Sequence, residues 1–438
     1  MATTKRSTTG LEIEMFTLDS EGKMVSKSDD IFKALEGKKI ESFARPELSR
    51  SLFEVGADPA NTVKGMAFPF LDILEEIVGI AESKEIYLLP LGTHPARGYA
   101  ELRSKPWYDA KVAVMGRDNT RREGKIAGFH FHYSLPRGIV DKEMQMIKQL
   151  RRSKSKEVFL NQYNFLVASD PVLLTLSQST PFWQGVHYGK DCRVLVYRDM
   201  AINGFRGMHY YLPLFGSLPS YEFTLQDLRV LAETKKAEWL RLLEQRKFPT
   251  NEIAGVPTLK FMWGPLRVNK VGTFEYRGPD MNMPTNIFSI GGLIKLALWA
   301  IEKNELEVRP SDIGINEPFV LEDDVIYVPP HSSLKYLEFQ STINGLESQE
   351  VYSYCSKMVK LVSEISKKGG TPLLGPVKKM LREKKTMSDE ILELVKKNGH
   401  DPKKEVSDDV LNYVALFYAK KLMGNIEEAR KAYSRVRI

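Results

Sequence analysis

An α+β fold is predicted by three observations. Short β-like runs lie far apart in the chain, long helical stretches join them, and the pattern becomes purely helical after about residue 340. The 438 residues are 42% hydrophobic and 27% charged, with 30 Gly and 23 Pro spread throughout. That composition excludes disorder, collagen-like repeats and a coiled coil. The length allows more than one unit, and the change in pattern divides the chain into 1–340 and a helical C-terminal region, 341–438.

The first strand is expected at 9–18, where Leu11, Ile13 and Met15 alternate with Glu12 and Glu14. A period of two puts both carboxylates on one face, about 7 Å apart. The run 52–55 carries Glu54 in the same way, and a helix is expected at 66–80. A strand at 86–91 and a helix at 108–123 lead to the strand 126–134. There His130 and His132 share the face opposite Phe129, Phe131 and Tyr133. Next come a helix at 141–166, a strand at 193–198, a helix at 225–245 and strands at 259–261 and 272–277. On the last, Thr273, Glu275 and Arg277 oppose Phe274 and Tyr276. A helix at 288–303 closes the body. Beyond it, helices are expected at 347–367 and 376–385, at a segment opened by a capping box of Thr386 and Asp389, and at 407–422 and 426–436. The Lys-Lys-Gly-Gly-Thr stretch before Pro372 breaks this series.

The formal charge of +7 and pI near 9.0 raise the question of a nucleic-acid partner. From Ser341 to Ile438 there are 19 Lys+Arg and 13 Asp+Glu, a net of +6; the preceding residues hold 44 against 43. The body is balanced, and a packed helical region with a wet basic face accounts for the excess without nucleic acid. The first 15 residues lack an apolar core and do not read as a secretory signal. The most apolar window, 287–301, is interrupted by Lys295 and is shorter than the ~20 residues a bilayer span needs. Cys192 and Cys355 make no disulfide framework, so a reducing, cytoplasmic compartment is expected.

One strand with Glu or His on its polar face is ordinarily a solvated surface strand. Four such strands are another matter, because Glu has poor β-propensity and is an uncommon choice for an exposed strand. If they share a sheet, glutamates and imidazoles line one face, and their repulsion calls for cations. Carboxylates with one or two imidazoles suit magnesium or manganese, and neither cysteine has the spacing of a zinc site. Hard metals beside arginines are suited to phosphoryl chemistry. No Walker A loop, GxGxxG turn or HExxH helix is present.

These residues resemble a known family. Gly10-Leu-Glu-Ile-Glu-Met-Phe16 with Asp19 resembles the opening strand of the glutamate-cysteine ligase and carboxylate-amine ligase superfamily, whose core is similar to that of glutamine synthetase. Phe53-Glu54-Val55, Leu91-Gly-Thr-His-Pro95, Gly128-Phe-His-Phe-His132, Leu176 to Gly185 with Cys192-Arg193, and Arg267 with Thr273 to Arg277 and Asp280 follow in the family's order. The resemblance implies a curved, mostly antiparallel sheet forming a funnel flanked by helices, in which ATP, Mg²⁺ or Mn²⁺ ions and an amino-acid carboxylate meet. It implies phosphorylation of the carboxylate to an acyl phosphate and attack by an amine to form an amide. Glu12, Glu14, Glu54, His132 and Glu275 would be metal ligands, with His130 beside them. Arg193 and Arg277 would act on phosphate or substrate carboxylate, and Arg193, Arg267 and Arg277 would hold the nucleotide. The loops 185–191 and 199–208 depart from the family's patterns. The acceptor, cysteine or another small amine, therefore stays open, as do a different carboxylate donor and a non-catalytic binding protein.

Other residues read more simply. His94 is expected to hydrogen-bond its turn, His187 and His209 to lie on surface loops, Cys192 to be a small buried residue, and Phe182 and Trp183 to be core. The run 151–156 reads as a solvated helix end. Arg117, Arg121 and Arg122 either offer one side chain to the ATP phosphates or form a solvated face.

Overall fold

The computed structural model describes residues 7–148, 153–367 and 372–436. Its principal sheet has seven strands: β1 (Thr9–Leu18), β2 (Ala44–Pro46), β3 (Leu52–Gly56), β4 (Tyr87–Leu89), β5 (Phe129–Ser134), β6 (Leu266–Asn269) and β7 (Thr273–Tyr276). Their order is β6-β7-β5-β1-β3-β2, with β4 pairing the C-terminal end of β1. Every pairing is antiparallel. The alternation in β1 has the predicted effect: Leu11, Ile13 and Met15 are buried in the apolar core while Glu12 and Glu14 face the other way. The fold is thus α+β with an antiparallel sheet, as the sequence predicts.

Helices cover the apolar face. Thr62 caps α1 (Val63–Glu82), its hydroxyl accepting from the Gly65 N–H at 2.9 Å. Phe70 of α1 meets Phe288 edge-on, with centroids 5.9 Å apart, and Phe288 meets Tyr433 at 5.6 Å. Those contacts join α1 to α2 (Pro284–Asn304) and to α3 (Asp408–Tyr433), both in the same core. Among the described residues α2 is the one helix long and apolar enough to cross a membrane, but 83% of its apolar window is buried in the fold. Its Lys295 donates to the Asn61 carbonyl at 2.8 Å.

Several expected elements differ, each for a local reason. The segment 193–198, expected as a strand, is the helix Cys192–Tyr197, because Asp191 caps it by accepting the Val194 N–H at 2.9 Å. The expected helix 108–123 is broken at Gly116, which has φ of +83°, into Pro106–Met115 and Arg117–Glu123. The expected helix 141–166 begins late, as Lys154–Ser177. Asp141 accepts N–H bonds from Glu143 and Met144 at 3.0 and 3.1 Å, and this turn joins two short paired strands instead. Part of the basic run, Arg151 and Arg152, lies outside the described residues, while Ser153 caps the following helix. The segment 259–261 lies in the 3₁₀ turn Thr258–Phe261. Two helices expected beyond residue 406 are the single helix α3.

The C-terminal helices grip the loops behind the sheet. Arg97 donates from its backbone N–H and from Nη1 to Asp408, at 2.9 and 3.0 Å, and also pairs with Glu405. Lys190 Nζ contacts both Glu347 and Asp389 at 2.6 Å, and Gln178 Nε2 donates to the Ser341 carbonyl at 2.6 Å.

Candidate active site

Strand register builds the polar face, since residues opposite one another on neighbouring strands share a face. Glu12 lies opposite His130, Glu14 opposite Glu54, and Glu54 opposite Arg45. On the other side His132 lies opposite Glu275 and Glu275 opposite Arg267. A continuous ionisable surface therefore crosses six strands, and it brings together Glu12, Glu14, Glu54, His130, His132 and Glu275.

Three groups of possible ligands result: Glu12, His132 and Glu275; Glu12, Glu54 and His130; and Glu14, Glu47 and Glu54. Within each, the ligand atoms lie within 4.8 Å of one another. Glu47 has no counterpart in the sequence reading. It sits in the short link between β2 and β3, outside any alternating run, so no pattern marked it.

The electrostatics separate these carboxyls. Burial and the charge of Glu47 push Glu14 up to about 7, against the pull of Arg277 and Arg193. Burial, with Glu12, Glu47 and Glu14 nearby, raises Glu54 well above the usual carboxylate range. Burial also raises Glu47. Glu12 and Glu275 go the other way. Burial opposes ionisation of Glu12, but the neighbouring imidazoles, His132 with Nε2 3.3 Å from Oε2 and His130 close by, outweigh it. Glu275 is buried too, yet Arg267 and Arg277 hold its pKa well below normal. Arg267 grips Glu275 with two bonds of 2.6 and 2.8 Å, Arg277 Nη1 adds one of 2.5 Å, and Asn269 Nδ2 also donates.

The donor set fits a hard divalent metal. It consists of carboxylate oxygens and imidazole nitrogens. His130 is 2% exposed, and burial with the charge of Arg277 lowers it to about 4, so it is neutral near pH 7 and keeps a free lone pair. Its Nδ1 is buried with no hydrogen-bond partner, 3.8 Å from Glu12 and 4.0 Å from both Glu54 and Glu275. An unmet nitrogen facing three carboxylates, beside carboxyls whose burial makes ionisation costly, has the local chemistry of a cation site.

Arg193 comes to this site from a helix instead of the expected strand. Its Nη1 and Nη2 donate to the carbonyls of Gly278 and Arg277 at 2.8 and 3.1 Å. Arg193 and Arg277 line a cavity of about 100 Å³ together with Glu14, Glu47, His130, Tyr108, Lys111 and Glu123. Arg121 and Arg122 are not among its lining residues; they lie over the rings of Tyr99 and Phe205. His94, expected to hydrogen-bond its own turn, reaches instead to the Gly22 carbonyl at 2.9 Å, in the distant turn that follows β1. His209, expected on a surface loop, is buried, with Nδ1 2.6 Å from the Tyr197 carbonyl oxygen. Cys192, Phe182 and Trp183 are buried.

Comparison with known proteins gives a consistent picture. Residues 8–229 match the family described as glutamate-cysteine ligase family 2. The chain is 25% identical over 200 residues to "Putative glutamate--cysteine ligase 2" of Gloeobacter violaceus, covering 45% of this chain and 49% of that protein. It is 22% identical over 359 residues to "Putative glutamate--cysteine ligase 2-2" of Legionella pneumophila strain Lens, covering 81% and 78%. The first match thus spans about half the length of that relative. The fold is similar to that of a glutamate–cysteine ligase from Francisella tularensis solved in complex with AMP, with a TM-score of 0.58, 12% identity, and 99% and 96% of the two chains covered. It is also similar to a bifunctional glutathione synthetase from Pasteurella multocida, with a TM-score of 0.59, 13% identity, and 98% and 53% covered.

Proposed function

Because the chain belongs to the glutamate-cysteine ligase family 2, we propose that it is an ATP- and divalent-metal-dependent ligase joining a carboxylate to an amine. The donor in this reading is the γ-carboxylate of glutamate, activated as γ-glutamyl phosphate, and the acceptor is cysteine or another small amino acid or amine. The observation that carries it is the convergence of six Glu and His side chains from four strands on one sheet face, in groups whose ligand atoms lie within 4.8 Å.

Glu12, Glu14, Glu47, Glu54, His130, His132 and Glu275 would hold Mg²⁺ or Mn²⁺, which supplies positive charge against the phosphoryl group. Arg193 and Arg277, which line the cavity, bind phosphate and substrate carboxylate through the N–H donors left over from their bonds to the Gly278 and Arg277 carbonyls and to Glu275. Arg267 belongs to the nucleotide end; its first task is to hold Glu275 ionised and in place. Residues 1–340 carry the chemistry in this reading, and 341–438 brace the loops around it. The two cysteines, both buried and free, support a reducing, cytoplasmic setting.

The test is release of ADP and phosphate from ATP and Mg²⁺, measured with glutamate and with a panel of amino acids and simple amines. Release should require both substrates. Absence of release with every pair, together with unchanged nucleotide affinity in Glu14→Ala, would rule the reading out.

A further inference from the structure

Besides His130, two residues lining the cavity beside the carboxylate cluster carry unmet hydrogen-bonding atoms of opposite character. Lys111 Nζ donates to Glu123 Oε1, which leaves Glu123 Oε2 buried without a partner. Arg193 uses Nη1 and Nη2 on backbone carbonyls, and its Nε is buried and unpartnered as well. Both residues line the same cavity of about 100 Å³, with Tyr108 and Tyr197. Buried polar atoms are nearly always satisfied, and the penalty is larger when the group is charged. Lys111 also sits 5.3 Å from the centre of the Trp263 ring, so its ammonium is held between that ring and Oε1. A ligand with an ammonium group and an anionic oxygen supplies what each atom lacks.

We propose that Glu123 Oε2 receives the ammonium group of the acceptor, making Glu123 a specificity-determining residue, steadied by Lys111, that selects compact acceptors bearing an ammonium group. This rests on the ligase reading above. It goes further in naming the residue that recognises the acceptor and the charge state it prefers. Neither Glu123 nor Lys111 stands out in the sequence, because both lie on helices outside the alternating strands.

Glu123→Gln isolates this role. Gln keeps the size and the oxygen that accepts from Lys111, but puts an N–H donor where the anionic oxygen was. The full chain is supplied with ATP, Mg²⁺ and L-glutamate, and with either L-cysteine, whose amine is an ammonium near neutral pH, or hydroxylamine, whose amine is neutral there; ADP release is followed. KM for cysteine should rise about 10–100-fold, the range for loss of a hydrogen bond to a charged group. KM for hydroxylamine and for ATP should stay within about twofold. Equal changes for both acceptors, or none for cysteine, would overturn the proposal, since a structural role moves both alike. Should Glu123→Gln not fold, Glu123→Asp, which withdraws the carboxylate by one methylene, is read by the same ratio. Wild-type protein that turns over hydroxylamine but none of cysteine, alanine, glycine and methylamine overturns this inference alone. Wild-type protein that turns over no acceptor overturns the ligase reading with it.

Discussion

Glu14→Gln should make the metal-free protein more stable at alkaline pH, although it damages the site. Glu14 is 8% exposed, and its carboxyl is pushed from an ordinary value of 4.5 to about 7 by burial and by Glu47. The folded value lies above the unfolded one. Its contribution to stability is therefore fully present below pH 4.5 and is lost as the pH rises to about 7. The interval of 7 minus 4.5, at about 1.36 kcal/mol per pH unit, gives a loss of about 3 kcal/mol at pH 8. Gln has no charge to lose, and its carbonyl oxygen can still accept the Gly128 N–H that now reaches Glu14 at 2.8 Å. Variant minus wild type should thus be about 3 kcal/mol more favourable at pH 8 than at pH 4.5, and comparing two pH values cancels any constant effect of the amide. The size trend puts this near 3–6 °C in Tm for a chain of this length. Thermal scans at one rate, in EDTA, at both pH values measure it. Added Mn²⁺ should raise the wild-type Tm at pH 8 and move the variant less. A difference that is equal at the two pH values, or reversed, would refute unneutralised charge as the property of this face.

Arg267→Ala removes two of the bonds that keep the buried Glu275 ionised. With Arg277 and Asn269 still attached, urea denaturation should show a loss of up to about 3 kcal/mol, with weaker Mn²⁺ binding by calorimetry. Asp170→Ala strands Arg198, which is 2% exposed and donates to Asp170 at 2.6 and 2.9 Å and to Glu338 at 2.6 Å. Urea titration should show a loss of about 3–5 kcal/mol. Gly189→Ala puts a Cβ 2.5 Å from the Thr342 carbonyl oxygen at a residue with φ of +159°. A loss of about 1–3 kcal/mol is expected by the same measurement, with trypsin sensitivity rising around residues 185–191.

The sequence revealed most where a period of two coincided with burial. β1, β5 and β7 were legible because Phe, Ile and Leu alternate with Glu or His, so element and face came from the same letters. Glu47 and Glu123 were not, since each is a single carboxylate outside such a run and only tertiary packing turns it toward the site. The segment 193–198 misleads because Val194, Val196 and Tyr197 favour strands. Its fate rested on one carboxylate, Asp191, that completes a helix start. Residues 141–166 misled in the same way, as Asp141 closes a turn inside a helical pattern. Arg193, named from its motif, lines the cavity but does so from a helix where a strand is expected, so local motif and local conformation are separate signals. The near-neutral balance of 1–340 conceals strongly acidic and strongly basic groups a few ångströms apart, which net charge cannot register.

The hold of the C-terminal helices on the loops has a consequence for synthesis. The acidic face is complete once Arg277 has been made, but Glu338, Ser341, Glu347, Asp389 and Asp408, which secure the loops beside it, come later. At roughly 5–20 residues per second, the remaining chain takes on the order of 10–30 s to appear. During that interval the nascent protein carries a cluster of repelling carboxylates without its restraints and with the seats for α3 on α1 and β4 uncovered. Until the C-terminal helices arrive, neutralisation of this face falls to cations already made, Arg45, Arg267 and Arg277, which pair with Glu12, Glu54 and Glu275.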